Sequence, residues 1–159
     1  DGVGIGGSFT KEDLDDTLEI VTTELPPEMP RHLLGIGSVA DIFAAVEAGV
    51  DTFDCVTPTR LGRRGTLLTR SGAINIRNRA YKTDQRVLEE DGWSLVSRTY
   101  SRAYLAHLFR SREMLGPILA SAHNVSFMIT LLTNIRAAID ENRFEALRDE
   151  TLRRFGRVG

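Results

Sequence analysis

The 159-residue chain is 42% hydrophobic with a formal charge of -2, which allows one modest core, excludes disorder by composition, and leaves no bulk attraction for nucleic acid. Its single cysteine, Cys55, excludes an internal disulfide and a metal site built from cysteines. No apolar run approaches the roughly 20 residues of a membrane span and no charged start with an apolar centre marks a signal peptide, so no membrane partner and a cytoplasmic location are expected.

Residues 1–7 read as a short apolar strand closed by Gly6-Gly7. Thr10 and Asp13 mark a helix start before an apolar stripe at Leu14, Leu18, Val21 and Leu25. Pro26, Pro27 and Pro30 end that helix. His32 to Ile36 forms the next strand, and Ser38 caps a helix running through Ile42, Ala45 and Val46 to Gly49. Val50 to Val56 is a third strand. This alternation with short connections predicts parallel strands joined by right-handed crossovers, with functional loops at the carboxyl ends of the strands. Gly6-Gly7, Gly35-Ile36-Gly37 and Asp54 all fall at such ends.

The run Phe53-Asp54-Cys55-Val56-Thr57-Pro58-Thr59-Arg60, continued by Leu61-Gly62-Arg63-Arg64-Gly65, sets a carboxylate where a strand gives way to what reads as an arginine-rich loop. A carboxylate there can attack an electrophilic carbon, and guanidinium groups beside it can hold phosphates. An aspartate at a strand end also serves as a cap or turn former, and arginines as a solvated loop, so the residues by themselves leave both readings open. Beyond it, Thr66–Thr69 and Ala73–Ile76 flank Arg70-Ser71-Gly72 as a hairpin. Asp84 to Tyr100 has weak periodicity and reads as the loosest segment. From about Ser101 the pattern is helical nearly to the end, through Tyr104, Leu105, Leu108 and Phe109, then Met114 to Ala122, Phe127 to Ile135, and Phe144 to Phe155.

Five of these motifs, in order, resemble the tRNA-guanine transglycosylases, also called queuine tRNA-ribosyltransferases: Pro30 to Gly37, Phe53 to Arg60, Ala73 to Asn78, Ser101 to Leu105, and His123-Asn124. The resemblance covers nearly the whole chain and corresponds to the carboxyl-terminal half of such a protein. It implies an α/β fold, the carboxyl-terminal part of a TIM (β/α)8 barrel with an appended hairpin and helical subdomain. Residues 1–65 would be the partial barrel half carrying the nucleophile and RNA loop, and residues 66–159 the hairpin, helices and a degenerate zinc subdomain. Asp54 would be the nucleophile that exchanges wobble-position guanine for a 7-deazaguanine queuosine precursor through a covalent aspartyl-ribose intermediate. Gly6, Gly7, Leu34, Gly35 and Val56 would line the base pocket. Gly35, Ile36, Gly37, Ser38, Val39, Ala40 and Asp41, with Thr59, Arg60, Leu61, Gly62 and Arg63, would contact the anticodon loop of tRNA.

The chain departs from the family in two places. Relatives hold a structural zinc through cysteines spaced C-x-C-x-x-C and a later histidine. Those positions fall at Gly92, Ser94, Ser97 and His123, so only the histidine remains and no zinc or other cofactor is expected; apolar packing around Trp93, Leu95, Tyr100 and Tyr104 would take its place. The amino-terminal half, with the family's general acid and base, is not among these residues. The chain therefore reads as a fragment, a split-gene product or one half of an assembly, with a complementary amino-terminal half or a second copy as partner. The alternative is a non-catalytic relative, an accessory subunit or pseudoenzyme that binds tRNA or a partner protein.

Overall fold

Three short parallel strands open the chain, with a helix in each connection between them. In the computed structural model, which describes residues 2–7 and 14–156, these are β1 (Val3–Ile5), β2 (Arg31–Leu34) and β3 (Thr52–Asp54), with α1 (Leu14–Glu24) and α2 (Val39–Glu47) between them. The helix start expected at Thr10 and Asp13 lies outside the described residues. The sheet order is β1-β2-β3, with Gly4 opposite His32, Leu33 opposite Phe53 and Leu34 opposite Asp54. Because strand side chains alternate, one face carries Ile5, Leu33 and Phe53 into a core completed by Leu14, Leu18, Ala45 and Val50. The other face carries Gly4, His32, Leu34, Thr52 and Asp54.

The strands are shorter than the sequence pattern indicates, for local reasons. Gly35, at φ +75, turns the chain out of β2, and Val50 still donates to Ala45 in the closing turn of α2. Arg31 ties the layers together: its buried guanidinium donates to the carbonyls of Thr22, Leu25 and Pro26 at the end of α1 and to Gly49 after α2. These are carbonyls a helix end leaves without an internal partner. Ser38 caps α2 as expected, with its hydroxyl accepting from Asp41 N–H while the Asp41 carboxylate accepts from Ser38 N–H.

The compact units are Asp1–Thr57 and Pro58–Gly159, so the structural boundary falls before the change of sequence character at 65/66. The reason is α3 (Thr57–Arg64). The expected arginine-rich loop is this helix, with Pro58 in its first turn and Gly65, at φ +88, just beyond its last. A Cβ added at Gly62 would stand 2.7 Å from the Ser121 backbone nitrogen, so glycine is what lets α3 lie directly on the long helix α6 (Leu115–Asp140).

The rest of the second unit is a hairpin, β4 (Thr66–Thr69) with β5 (Gly72–Asn75), a 3₁₀ turn at Arg79–Tyr81, and helices α4 (Leu95–Thr99), α5 (Arg102–Arg110), α6 and α7 (Phe144–Phe155). By length and composition alone α6 is long and apolar enough to cross a membrane, which the run of the sequence hides because serines, threonines and His123-Asn124 interrupt it. In this chain it packs against β4, α4, α5 and α7. The core gathers Leu67, Ile76, Leu88, Val96, Leu105, Ala106, Phe109 and Ala120.

Residues 84–100 are well tied rather than loose. Asp84 accepts from Arg86 and Arg102, Val87 bridges to Ser101, and Leu88 is fully buried. The Arg86 hydrogen bonds hold the Asp84 carboxyl well below the usual carboxylate range. Order here comes from side-chain bonds, which leave no periodic signature.

Candidate functional site

The carboxyl ends of β1, β2 and β3 bring Gly6, Leu34, Gly35 and Asp54 together. Gly35 N–H donates to the Asp54 carbonyl at 2.9 Å, so the glycine turn after β2 is fastened to the backbone of the carboxylate on β3. Gly6 lies under Leu34: a Cβ at Gly6 would sit 2.7 Å from Leu34 Cδ1. Gly37 lies against Cys55, where a Cβ would meet Sγ at 2.2 Å. Gly7 has φ +145, a conformation that favours glycine. Small residues therefore let three strand ends close around one spot, and the Asp54 side chain, 61% exposed, stands open there.

The Asp54 carboxylate is held through one oxygen. Oδ1 lies 3.1 Å from His32 Nε2, and His32 Nδ1 lies 2.7 Å from Thr52 Oγ1. From the sequence, His32 reads as an ordinary surface or core histidine. Its signal is not local, since its partner is 22 positions away and reached only across the β2–β3 register.

The expected RNA-contacting stretches differ in accessibility. Within 35–41, Gly35 and Ala40 are exposed, Gly37 and Val39 are buried, and Ile36 packs into the core. Ser38 and Asp41 engage each other in the α2 cap. Val56 is exposed in the link after β3. On α3, Pro58 and Gly62 are buried while Arg60, Arg63 and Arg64 are exposed. Spacings of three and four residues put those three guanidinium groups on one helical face, opposite the buried one. Thr59 and Leu61 are partly buried beside them.

Where the sequence reading expects the family's zinc-ligand positions, the second unit holds a closed hydrogen-bond network. His123 is buried, with Nε2 2.7 Å from the Leu68 carbonyl and Nδ1 2.9 Å from Ser94 Oγ. A carbonyl only accepts, so Nε2 carries the proton and Nδ1 accepts from the Ser94 hydroxyl. The Ser97 hydroxyl donates to the Ser94 carbonyl, and Gly92 leaves room for it, since a Cβ at 92 would come within 2.1 Å of Ser97 Oγ. Burial pushes the His123 imidazole below its ordinary value. Among the described residues no group of three or more His, Cys, Asp or Glu side chains is placed to hold a metal. Of the residues expected to pack here, Tyr100 lies against the core and stacks on Tyr104, and Trp93 meets Phe127 edge-on, although Trp93 and Tyr104 keep one side exposed and Leu95 is exposed. With Ser94 as its cap, α4 turns Val96 and Ser97 inward and Leu95 out.

Asn124 adjoins His123 and is fully buried. Its Oδ1 accepts from Leu68 N–H, and its Nδ2 donates to the carbonyls of Pro58 and Thr66, all at 2.9 Å.

A parallel α/β unit that presents a carboxylate and two glycine turns at its strand ends is of the class that places its chemistry at the carboxyl edge of the sheet. Comparison with known proteins makes this specific: the queuine tRNA-ribosyltransferase family model matches residues 1–157, and the chain belongs to that family. It is 45% identical over 150 residues to a queuine tRNA-ribosyltransferase of Methylibium petroleiphilum, covering 92% of this chain and 40% of that protein. A Roseiflexus protein of the same name is 45% identical over 160 residues, covering 96% and 40%. One from Helicobacter pylori strain J99 is 43% identical over 158 residues, covering 98% and 43%. The chain thus spans about two fifths of the length of these relatives.

Proposed function

We propose that this chain is the nucleophile-bearing, carboxyl-terminal part of a tRNA-guanine transglycosylase, and that residues 1–65 contribute strands to a (β/α)8 barrel. The observation that carries the reading is the open Asp54 carboxylate at the end of β3, one oxygen held by His32 and its backbone tied to the Gly35 turn. The barrel is supported by the sheet itself. Parallel sheets are normally covered on both faces, yet the face bearing Leu34, Thr52 and Asp54 is exposed.

In this reading Asp54 attacks C1′ of the wobble nucleoside. The bond from C1′ to the purine nitrogen breaks, and its electron pair leaves with guanine, which takes a proton from an acid outside these residues. The RNA is held as an ester until an incoming 7-deazaguanine displaces the carboxylate, the two-step logic of a retaining glycosidase. Leu34, Gly35 and the Gly6-Gly7 turn would line the base site. Arg60, Arg63 and Arg64, on the exposed face of α3, would hold phosphates of the anticodon loop.

We also propose that the region around His123 is metal-free. Neutral hydroxyls and a glycine do not replace thiolates, and both His123 nitrogens are engaged by Leu68 and Ser94. Elemental analysis should find far less than one zinc per chain. These replaced ligand positions also favour the second reading, a non-catalytic tRNA- or partner-binding relative.

One experiment separates the two readings. The chain joined to or co-expressed with a complementary amino-terminal half should give an RNA-linked band on a denaturing gel, lost in Asp54→Asn. An undiminished band in that variant would refute the nucleophile assignment, and no band in the parent would favour the non-catalytic reading.

A further inference from the structure

We infer that His32 is a positioning residue for Asp54, its ring anchored by Thr52; the inference rests on Asp54 being the nucleophile. The three side chains share the exposed face of the sheet, with His32 directly opposite Thr52 in register and Asp54 two residues further along β3. A carboxylate at neutral pH only accepts hydrogen bonds, so the contact of 3.1 Å to Asp54 Oδ1 requires the proton on His32 Nε2. In the neutral ring Nδ1 must then accept, and the group it meets, Thr52 Oγ1 at 2.7 Å, has a hydroxyl proton to give. The Asp54 carboxylate thereby selects the tautomer, and Thr52, whose hydroxyl can donate to the remaining nitrogen, anchors the ring from its other side.

The arrangement has a directional consequence. With Oδ1 engaged, the carboxylate cannot spin freely about its last bond, and Oδ2, which has no partner among the described residues, is the oxygen left to attack. The His32 and Asp54 side chains are 38% and 61% exposed, and pairs this open add little to folding stability. Holding an otherwise mobile carboxylate in one orientation is the effect the pair can supply, because misplacing a reacting group by about 1 Å can cost roughly a hundredfold in rate.

Two amides discriminate this role from simple occupancy. The glutamine amide nitrogen reaches the place of His Nε2, whereas the asparagine amide reaches only that of Nδ1. In the chain completed with the amino-terminal portion of its relatives, His32→Asn should slow formation of the RNA–protein adduct about tenfold or more. His32→Gln should stay within about threefold of the parent. Thr52→Val, which removes the hydroxyl that anchors the ring, should fall between them. All three should bind an anticodon stem-loop with the parent's Kd and melt at the parent's temperature, so that a rate loss reports orientation. Adduct formation by His32→Asn at the parent's rate, with Asp54→Asn inactive, would overturn the positioning role and leave the nucleophile standing. An adduct that persists in Asp54→Asn, or none in the parent, would instead remove the nucleophile reading and this inference with it.

Discussion

Replacing Asn124 with alanine tests how the second unit is held together. The substitution removes one amide, strands Leu68 N–H, in a buried bond, and the Thr66 carbonyl at the edge of the hairpin, and takes a second bond from the Pro58 carbonyl within α3. A buried polar group left without a partner costs about 1–3 kcal/mol, so two such groups bring the expected loss to roughly 2–6 kcal/mol. That is a large share of the ~5–15 kcal/mol that holds a typical domain. With a urea slope of about 1–3 kcal/mol per molar, the midpoint should fall by about 1 M or more. Trp93, the single tryptophan, lies in this unit, and its fluorescence reports the unit's unfolding separately. Asn124→Asp is the sharper control, since it keeps the acceptor for Leu68 but turns the two donated bonds into a carboxylate facing carbonyls; it should be at least as damaging as alanine. A midpoint for Asn124→Ala within about 0.3 M of the parent would refute the claim that this amide ties α3 and the hairpin to α6.

Gly62→Ala should destabilise the same unit by about 1–3 kcal/mol, because its Cβ meets the backbone of α6 rather than a side chain that can move; an unchanged thermal melt would contradict the close approach of α3. Burial lowers the His123 pKa from its ordinary 6.5, so the unfolded chain takes up the proton first; stability should be complete above that value and decline as pH falls below it. In His123→Gln, whose amide can still donate to the Leu68 carbonyl, urea midpoints measured on either side of that ordinary value should differ less than in the parent, and an equal difference would assign the acid sensitivity elsewhere. Arg60→Ala with Arg63→Ala should weaken anticodon stem-loop binding and flatten its salt dependence by about one unit of slope or less for each phosphate no longer neutralised, whereas Asp54→Asn should leave binding nearly intact; a double arginine variant that titrates like the parent would make this face of α3 merely solvated.

The alternation of strands and helices, the Ser38 cap and the hairpin are legible in the sequence because each is written locally, in a capping hydroxyl, an apolar stripe or a turn glycine. The strand-end position of Asp54 follows from the same pattern. Helix α3 is harder to see: three arginines suggest a loop, although Pro58 and Gly65 carry the punctuation of a short helix. Residues 84–100 look loose because their order comes from Asp84, Arg86 and Arg102, whose pairing has no period. The His32–Asp54 contact and the Leu68–His123 bond join residues 22 and 55 positions apart. Such partners emerge only when strands register or a long helix docks, and no window of sequence contains both.

The way β4 is completed bears on how the second unit opens and closes. Leu68 directs both of its backbone groups to α6 side chains, the N–H to Asn124 and the carbonyl to His123, so two consecutive helical residues do for this strand what a neighbouring strand does elsewhere. The hairpin alone cannot protect that amide from solvent. In native-state hydrogen exchange, Leu68 should follow the release of α6 rather than fraying of the β4–β5 turn, and it should share its opening free energy with amides near the middle of the helix. During refolding the same dependence delays its protection until the long helix has docked, although the hairpin is among the shortest-range structures in the chain.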